Sequence, residues 1–479
     1  MTDLFKLTAS EAASNIREGS LTAEAYAAAL IGRVECNSEL NAFSSFDPQH
    51  ILETARARDI ERARSRNLGL LHGVPISLKD NINTSHLATA AGTPGLQKNF
   101  QTRDAPVAEA LVRAGAVLFG KNTMHELALG ATSNNSFSGA VRNPHNLDYI
   151  AGGSSGGTAA AVAALLTPAG IGTDTGGSIR IPASLCGVLG FRPTVRRWPQ
   201  GGVVPVSSTR DTVGPIARSV EDLQLLDFVV TGAQGRAPLT SLAGVCLGVP
   251  KTYFWDRLDK ETEKLAVAAC EVFEDAGAVL IECDLSPVVT PLEAISFQIV
   301  LKEAARDIAA YITDFQVPIT ITDILMQASS PDVRAVAAML TDGLQRNPDN
   351  GCTRTIDVVR ANATALVGEI FRGHRLDAIL FPTTPRPAAR VGEDVLVELD
   401  GAEVPTFPTF IRNTDPGSVL GLPGITLPVG LSSRGLPVGI ALDALPGNDA
   451  KLLSIAAAME DVLTGLSEKQ REGALDGRF

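Results

Sequence analysis

Residues 152–194 decide how this chain is read. They begin Gly152-Gly153-Ser154-Ser155-Gly156-Gly157 and continue through an alanine-rich run, Thr158 to Leu166. Gly170-Ile171-Gly172 leads to Thr173-Asp174-Thr175-Gly176-Gly177-Ser178-Ile179-Arg180, and Gly190-Phe191-Arg192-Pro193-Thr194 closes the stretch. In physical terms this is glycine loop, helix, short apolar strand, glycine loop. Glycine clusters let backbone approach a ligand closely and adopt positive φ. Successive N–H groups in such a loop make a nest for an anion. A serine at the end of a nest is placed to act as a nucleophile with its own oxyanion hole. Ser178 fits that role, with the N–H groups of Thr175, Gly176, Gly177 and Ser178 as donors.

The stretch resembles the amidase signature family. Gly152 to Gly157, Thr173 to Ala183, Cys186-Gly187 and Gly190 to Thr194 fall in that family's order and spacing. The resemblance implies that Ser178 is the nucleophile. It implies that Ser154, 24 positions earlier, follows a cis peptide and bridges Ser178 to a lysine. Upstream, His72-Gly73-Val74-Pro75-Ile76-Ser77-Leu78-Lys79-Asp80-Asn81 matches the lysine-bearing segment, so Lys79 is implied as the base. Ser155 is expected to add a hydrogen bond to the relay or to fix its loop. Asp174 and Arg180 are expected to hold the second loop by ion pairing or backbone hydrogen bonds. For Lys79 to be a neutral base, burial and neighbouring positive charge must pull it down from about 10.4.

Two other readings of these segments fail. Gly153-x-Ser155-x-Gly157 has the form of an α/β-hydrolase elbow, which requires an acid and then a histidine downstream. After the core only His374 remains, in a charged turn-like setting. His125-Glu126 does not begin a zinc-binding H-E-x-x-H, because residue 129 is leucine. His125 reads as a structural or pocket-lining residue.

The family fold implied is α/β: one α/β/α domain over 1–479 with a large mixed central sheet flanked by helices. Its signature core spans about 72–215, and a variable, substrate-shaping region spans about 290–375. Local patterns agree. Two helices are expected within 8–35, opened by a Thr8–Glu11 capping box and separated at Gly19-Ser20. A charged helix is expected from Ile51 to Asn67. Helices are also expected at 104–115 and 260–277, across most of 290–375, and at 449–463. Strands are expected at 74–78, 116–121, 245–250, 278–283 and 376–381. The resemblance extends from Asn413 to Leu427 and from Gly435 to Ile440.

Composition narrows the function classes. The chain has 479 residues, 45% hydrophobic and 20% charged, which is ordinary for a globular protein. A net charge of −12 argues against nucleic-acid binding through a basic face. Six scattered cysteines form no C-x-x-C pair and read as reduced thiols. No secretory signal and no apolar run of spanning length is visible, so a cytoplasmic protein without membrane attachment is expected. No metal or organic cofactor is implied. The partner is a small-molecule amide; the oligomeric state stays open, a homodimer included.

Met124-His125-Glu126-Leu127, Gly190 to Thr194 and Pro199 to Ser207 resemble indoleacetamide and mandelamide hydrolases. The expected reaction is hydrolysis of small aryl or arylacetic amides through an acyl-enzyme. A carbamate, anilide or ester hydrolase of the same family is an alternative. So is the amidase subunit of a tRNA-dependent amidotransferase, although His125-Glu126-Leu127-Ala128-Leu129-Gly130 and Arg192 depart from that subunit's usual residues.

Overall fold

The computed structural model describes residues 3–65, 67–233, 235, 239–345 and 352–476. Residue 66 of the expected helix 51–67 and residues 346–351 of the expected helical region lie outside them, as does the Cys352 side chain.

The frame is an eleven-stranded mixed sheet among the described residues. In chain order its strands are β1 (Phe43–Ser45), β2 (Pro75–Lys79), β3 (Val117–Asn122), β4 (Ala169–Asp174), β5 (Leu189–Arg192), β6 (Thr212–Ala217), β7 (Cys246–Val249), β8 (Val279–Glu282), β9 (Ala378–Pro382), β10 (Gly424–Leu431) and β11 (Pro437–Asp443). They lie in the order β1-β3-β2-β4-β6-β5-β10-β11-β9-β7-β8. β3, β2 and β4 run parallel, as do β9, β7 and β8, and the pairs between these two blocks are antiparallel. The expected α/β architecture with a large mixed sheet is therefore present.

β2 reads Pro-Ile-Ser-Leu-Lys and is buried throughout. A strand covered on both faces reads as a near-continuous apolar run rather than an alternating one, and only Ser77 and Lys79 interrupt this one. β4, Ala-Gly-Ile-Gly-Thr-Asp, is equally buried and made of small residues. The reason is close approach. A Cβ at Gly172 would lie 2.8 Å from Ser155 Oγ, so glycine there lets the first serine loop press on the strand.

The helices form as their caps and faces dictate. α1 (Ala9–Glu18) opens with the predicted capping box: Glu11 N donates to Thr8 Oγ1 at 3.2 Å and Thr8 N to Glu11 Oε2 at 2.8 Å. It ends on left-handed Gly19. α2 (Ala23–Cys36) follows. α3 (Pro48–Arg64) starts three residues before the expected position, because Asp47 caps it and Pro48 takes its first turn. α4 is Pro106–Arg113. α5 (Gly156–Ala163) is buried all round, as an alanine-rich helix without a polar face must be. α6 (Arg180–Cys186) follows the second serine loop. α7 (Val220–Thr231) and α8 (Lys260–Asp275) flank the sheet. α9 (Ser286–Asp314), α10 (Ile321–Met326), α11 (Pro331–Gln345) and α12 (Cys352–His374) make the expected helical region. α13 (Asp449–Asp476) runs past the expected end at 463.

The apolar interior is divided. The largest cluster lies along the sheet under α1–α3, α7, α8 and α13. A second joins Leu96, Met124, Leu127 and Val204 to Ile308, Tyr311 and Ile324 of α9 and α10. This second cluster seats the helical region on the loop that follows β3. Among the described residues no helix is long and apolar enough to cross a membrane.

Candidate active site

Lys79 ends β2 and Asp174 ends β4, on neighbouring parallel strands paired Leu78 to Ile171. The two serine loops meet at these strand ends. Ser155 N donates to Ser178 O at 3.1 Å and fastens one loop to the other. Ser155 Oγ donates to Thr173 O at 3.1 Å and accepts from Thr173 N at 3.3 Å, so this hydroxyl fixes the loop to β4. The Gly153–Ser154 peptide is cis, as the resemblance implies. His125 N donates to Ser154 O at 3.1 Å.

Lys79 and Ser154 are fully buried. Lys79 Nζ lies 2.7 Å from Ser154 Oγ, 2.7 Å from Thr173 Oγ1 and 3.4 Å from Thr173 O. No carboxylate of a described residue bonds to it. Thr173 Oγ1 also accepts from Asn81 Nδ2 at 3.1 Å, and Asn81 Nδ2 reaches Val204 O at 3.3 Å. Burial pushes the Lys79 ammonium down to about 7, against the opposing pull of Asp174 and Asp211. The expectation of neighbouring positive charge is corrected here: the nearby charges are negative, and desolvation alone lowers this lysine.

Ser178 is partly exposed, and its hydroxyl makes no hydrogen bond to a described residue. The structure thus brings Lys79 and Ser154 into contact and leaves Ser178 open at the loop's end, without a bond to Ser154. Of the four expected oxyanion donors, Gly177 N already donates to Asp174 Oδ1 at 2.8 Å. The N–H groups of Thr175, Gly176 and Ser178 donate to no described residue. Gly177 sits at φ +130°, and a Cβ there would lie 2.1 Å from Thr414 Oγ1, so only glycine fits this turn.

Asp174 anchors the loop. Its Oδ2 accepts from Ile179 N and Arg180 Nε, each at 3.2 Å. Its Oδ1 accepts from Arg192 Nη1 at 2.9 Å as well as from Gly177. Burial would raise this carboxyl, but Arg180 and Arg192 outweigh it and hold it below the usual range. Arg180 also reaches Asp443 Oδ1 at 3.2 Å and Ser418 Oγ at 2.7 Å. Fully buried and turned into this network, Arg180 is a scaffold residue rather than a free guanidinium.

Sequence reasoning assigned no role to several residues of this network. Thr173 and Asn81 hold the lysine. Arg210, Asp211 and Thr414 hold the second loop: Arg210 Nε donates to Thr175 O at 3.2 Å, Thr175 Oγ1 to Asp211 Oδ1 at 2.6 Å and Thr414 Oγ1 to Gly176 O at 2.7 Å. Thr173 and Arg192 stand inside the glycine- and serine-rich stretch 152–194, which is the signal the sequence carries for them. His125 is buried; Ser133 N donates to its Nδ1 at 3.2 Å, and its Nε2 lies 3.0 Å from Asp332 Oδ2 on α11. His374 is exposed at the end of α12, and Ser155 is buried, so the elbow reading has no support. Among the described residues no cluster of His, Cys, Asp or Glu could hold a metal ion.

A buried lysine against a hydroxyl, a second, open serine and free loop N–H groups together suit acyl transfer. Comparison with known proteins points the same way. The amidase family profile matches residues 25–453. The chain is 41% identical over 435 residues to indoleacetamide hydrolase of Agrobacterium vitis, covering 91% of this chain and 92% of that one. It is 39% identical over 478 residues to mandelamide hydrolase of Pseudomonas putida, covering 96% and 92%. Among solved structures, the peptide amidase of Stenotrophomonas maltophilia superposes with a TM-score of 0.82 at 28% identity, covering 95% of this chain and 96% of that one. The chain therefore belongs to the amidase family, the hydrolases of amide carbon–nitrogen bonds.

Proposed function

We propose that the protein hydrolyses small primary arylacetic amides to the acid and ammonia, using Ser178 as nucleophile, Ser154 as relay and Lys79 as base. The observation that carries this reading is the 2.7 Å contact between a fully buried Lys79 Nζ and Ser154 Oγ, with no carboxylate of a described residue bonded to the amine. A neutral lysine has two N–H groups and one lone pair. Thr173 Oγ1 and Thr173 O take the two N–H groups, and the lone pair accepts from the Ser154 hydroxyl.

Ser178 Oγ attacks the amide carbon and passes its proton to Ser154, whose own proton moves to Lys79. The tetrahedral oxyanion takes hydrogen bonds from the N–H groups of Thr175, Gly176 and Ser178. On collapse the proton returns through Ser154 to the leaving nitrogen, ammonia departs, and the acyl group stays on Ser178. Water repeats the cycle and frees the acid. The aryl preference rests on the indoleacetamide and mandelamide hydrolases among the relatives. The packing of α9–α11 on the Met124–Leu127 segment supports the reading that the region about 290–375 shapes the substrate pocket.

The test is release of ammonia or amine by the purified chain alone from indole-3-acetamide and mandelamide, beside glutamine, an anilide and an aryl carbamate. Turnover of the two arylacetic amides, abolished in Ser178→Ala, is expected. Turnover confined to the anilide or carbamate would move the substrate class. Inactivity on all five without added subunits would favour the amidotransferase role, and activity surviving Ser178→Ala would end the nucleophile assignment.

A further inference from the structure

The peptide groups of the second serine loop carry a pattern beyond their free N–H groups. The peptide joining Asp174 to Thr175 has its carbonyl held by Arg192 Nη1. The next, joining Thr175 to Gly176, has its carbonyl held by Arg210 Nε at 3.2 Å. In a trans peptide the C=O and N–H point in opposite directions. Each guanidinium therefore sits behind one of the free N–H groups, those of Thr175 and Gly176. The third free N–H, that of Ser178, belongs to a peptide whose carbonyl accepts, among the described residues, only from a neutral donor, Ile181 N at 2.7 Å.

A charged donor on a carbonyl makes a stronger hydrogen bond than a neutral one. Inside a low-dielectric site, hydrogen bonds in series polarise one another. A guanidinium on the carbonyl oxygen draws electron density through the amide and leaves its N–H a better donor. It also fixes the peptide plane before any charge develops on the substrate. Arg210 is built for this. It is 1% exposed; its Nη2 pairs with Asp415 Oδ1, and its Nη1 donates to Ser296 Oγ at 2.9 Å and Ser296 O at 3.2 Å on α9. Asp415 and Ser296 take up both amino ends, and the remaining Nε–H is aimed at Thr175 O. Arg192 differs because it is also a counter-ion of Asp174.

We propose that Arg210 is a positioning residue of the oxyanion site: through Thr175 O it orients and polarises the peptide whose Gly176 N–H receives the developing negative charge, with Arg192 acting likewise on the Thr175 N–H. This rests on the reading of Ser178 as nucleophile, so the experiment tests the two separately. Labelling of wild-type Ser178 by an aryl sulfonyl fluoride, located by mass spectrometry, tests the nucleophile. Arg210→Lys keeps the charge and loses the Nε–H geometry. Arg210→Gln with Asp415→Asn removes the pair without stranding a charge, and keeps the test open if a single variant fails to fold. Each is measured for kcat and KM on indole-3-acetamide and for affinity toward an arylmethyl boronic acid, which forms a tetrahedral serine adduct.

For folded variants, kcat is expected to fall about 10- to 100-fold, with KM within about threefold. Boronate affinity should fall by the same factor as kcat, which a merely structural role would not produce. Unchanged kcat and boronate affinity would overturn the proposal. So would a rise in KM with boronate affinity tracking KM. Failure of wild-type Ser178 to take the label while another serine does would remove the nucleophile reading and the proposal together.

Discussion

Lys79 and Asp174 stand at the ends of adjacent parallel strands, and both are fully buried. Burial disfavours either charge, yet the two meet opposite fates. Asp174 is surrounded by two guanidiniums and two backbone N–H groups, and is held as an anion. Lys79 is given two hydroxyls and a carbonyl, none of them charged, and burial takes it down to about 7. The partner set, not the depth, decides whether a buried group stays ionised. One member of the pair is scaffold; the other is left poised to exchange a proton near neutral pH, which is where a general base works best.

The largest effect is expected at the lysine. Lys79→Met should lower kcat/KM by about 10³- to 10⁴-fold, the range for a lost general base. In the wild type, kcat/KM should rise about tenfold per pH unit below about 7 and level off above it, since Lys79 as the proposed base must lose a proton. A flat profile from pH 5 to 9 would break the comparison. Stability supplies an independent reading. The folded value, about 7, lies below the unfolded value of about 10.4. The unfolded chain therefore binds more protons between these limits, and the contribution of Lys79 to stability increases with pH across that window. The melting temperature of Lys79→Met minus that of wild type should be greater at pH 7 than at pH 10. An equal difference at both would mean that this lysine is not depressed.

Asp174→Asn attacks the other member. It leaves Arg180 paired with Asp443 and removes the carboxylate that pairs with the buried Arg192. Breaking a buried ion network by removing one partner costs about 3–5 kcal/mol, to be read from the urea midpoint. Loss of activity at unchanged stability would instead place Asp174 in the chemistry and end its description as scaffold.

How much of this could be read beforehand follows from the range of each interaction. The capping box at Thr8 and Glu11, the buried strand ending at Lys79 and the glycine-flanked serines are local patterns, and sequence carries local patterns directly. The early start of α3 was also local, in Asp47-Pro48, but the apolar periodicity begins later and drew the expected boundary with it. The partners of Arg180 were not legible. Asp443 lies 263 positions away, and only the pairing of β11 with β10 brings it within reach of Arg180. Arg210 and Asp415 meet across 205 positions. The role of Thr173 is not legible in its motif, because only the pairing of β2 with β4 turns its hydroxyl toward Lys79. Burial of Lys79 is expected from its sequence setting, but the sign of the neighbouring charge is not legible there, because only the folded sheet brings Asp174 and Asp211 near it.

A second buried lysine sharpens the comparison with the smallest expected effect. Lys121 lies on β3, with Leu78 opposite Lys121 and Lys79 opposite Asn122. Successive side chains alternate between faces, so the two lysines leave opposite faces of the sheet. Lys121 Nζ donates to Ile82 O at 2.6 Å and Thr89 Oγ1 at 2.9 Å, and Asp80 Oδ1 lies 3.8 Å away. Burial takes Lys121 down to about 8. It borders a cavity of about 180 Å³ lined also by His50, Arg58, His86 and Asp104. By depth and depression alone it would match Lys79. Among the described residues no serine hydroxyl bonds to its Nζ, whose partners are backbone carbonyls, a threonine hydroxyl and a carboxylate. Lys121→Met should therefore leave kcat/KM within about threefold while lowering stability by about 1–3 kcal/mol, the cost of leaving buried polar groups unpaired. An activity loss approaching that of Lys79→Met would show that burial of a lysine in this sheet, rather than its contact with Ser154, is what the reaction requires.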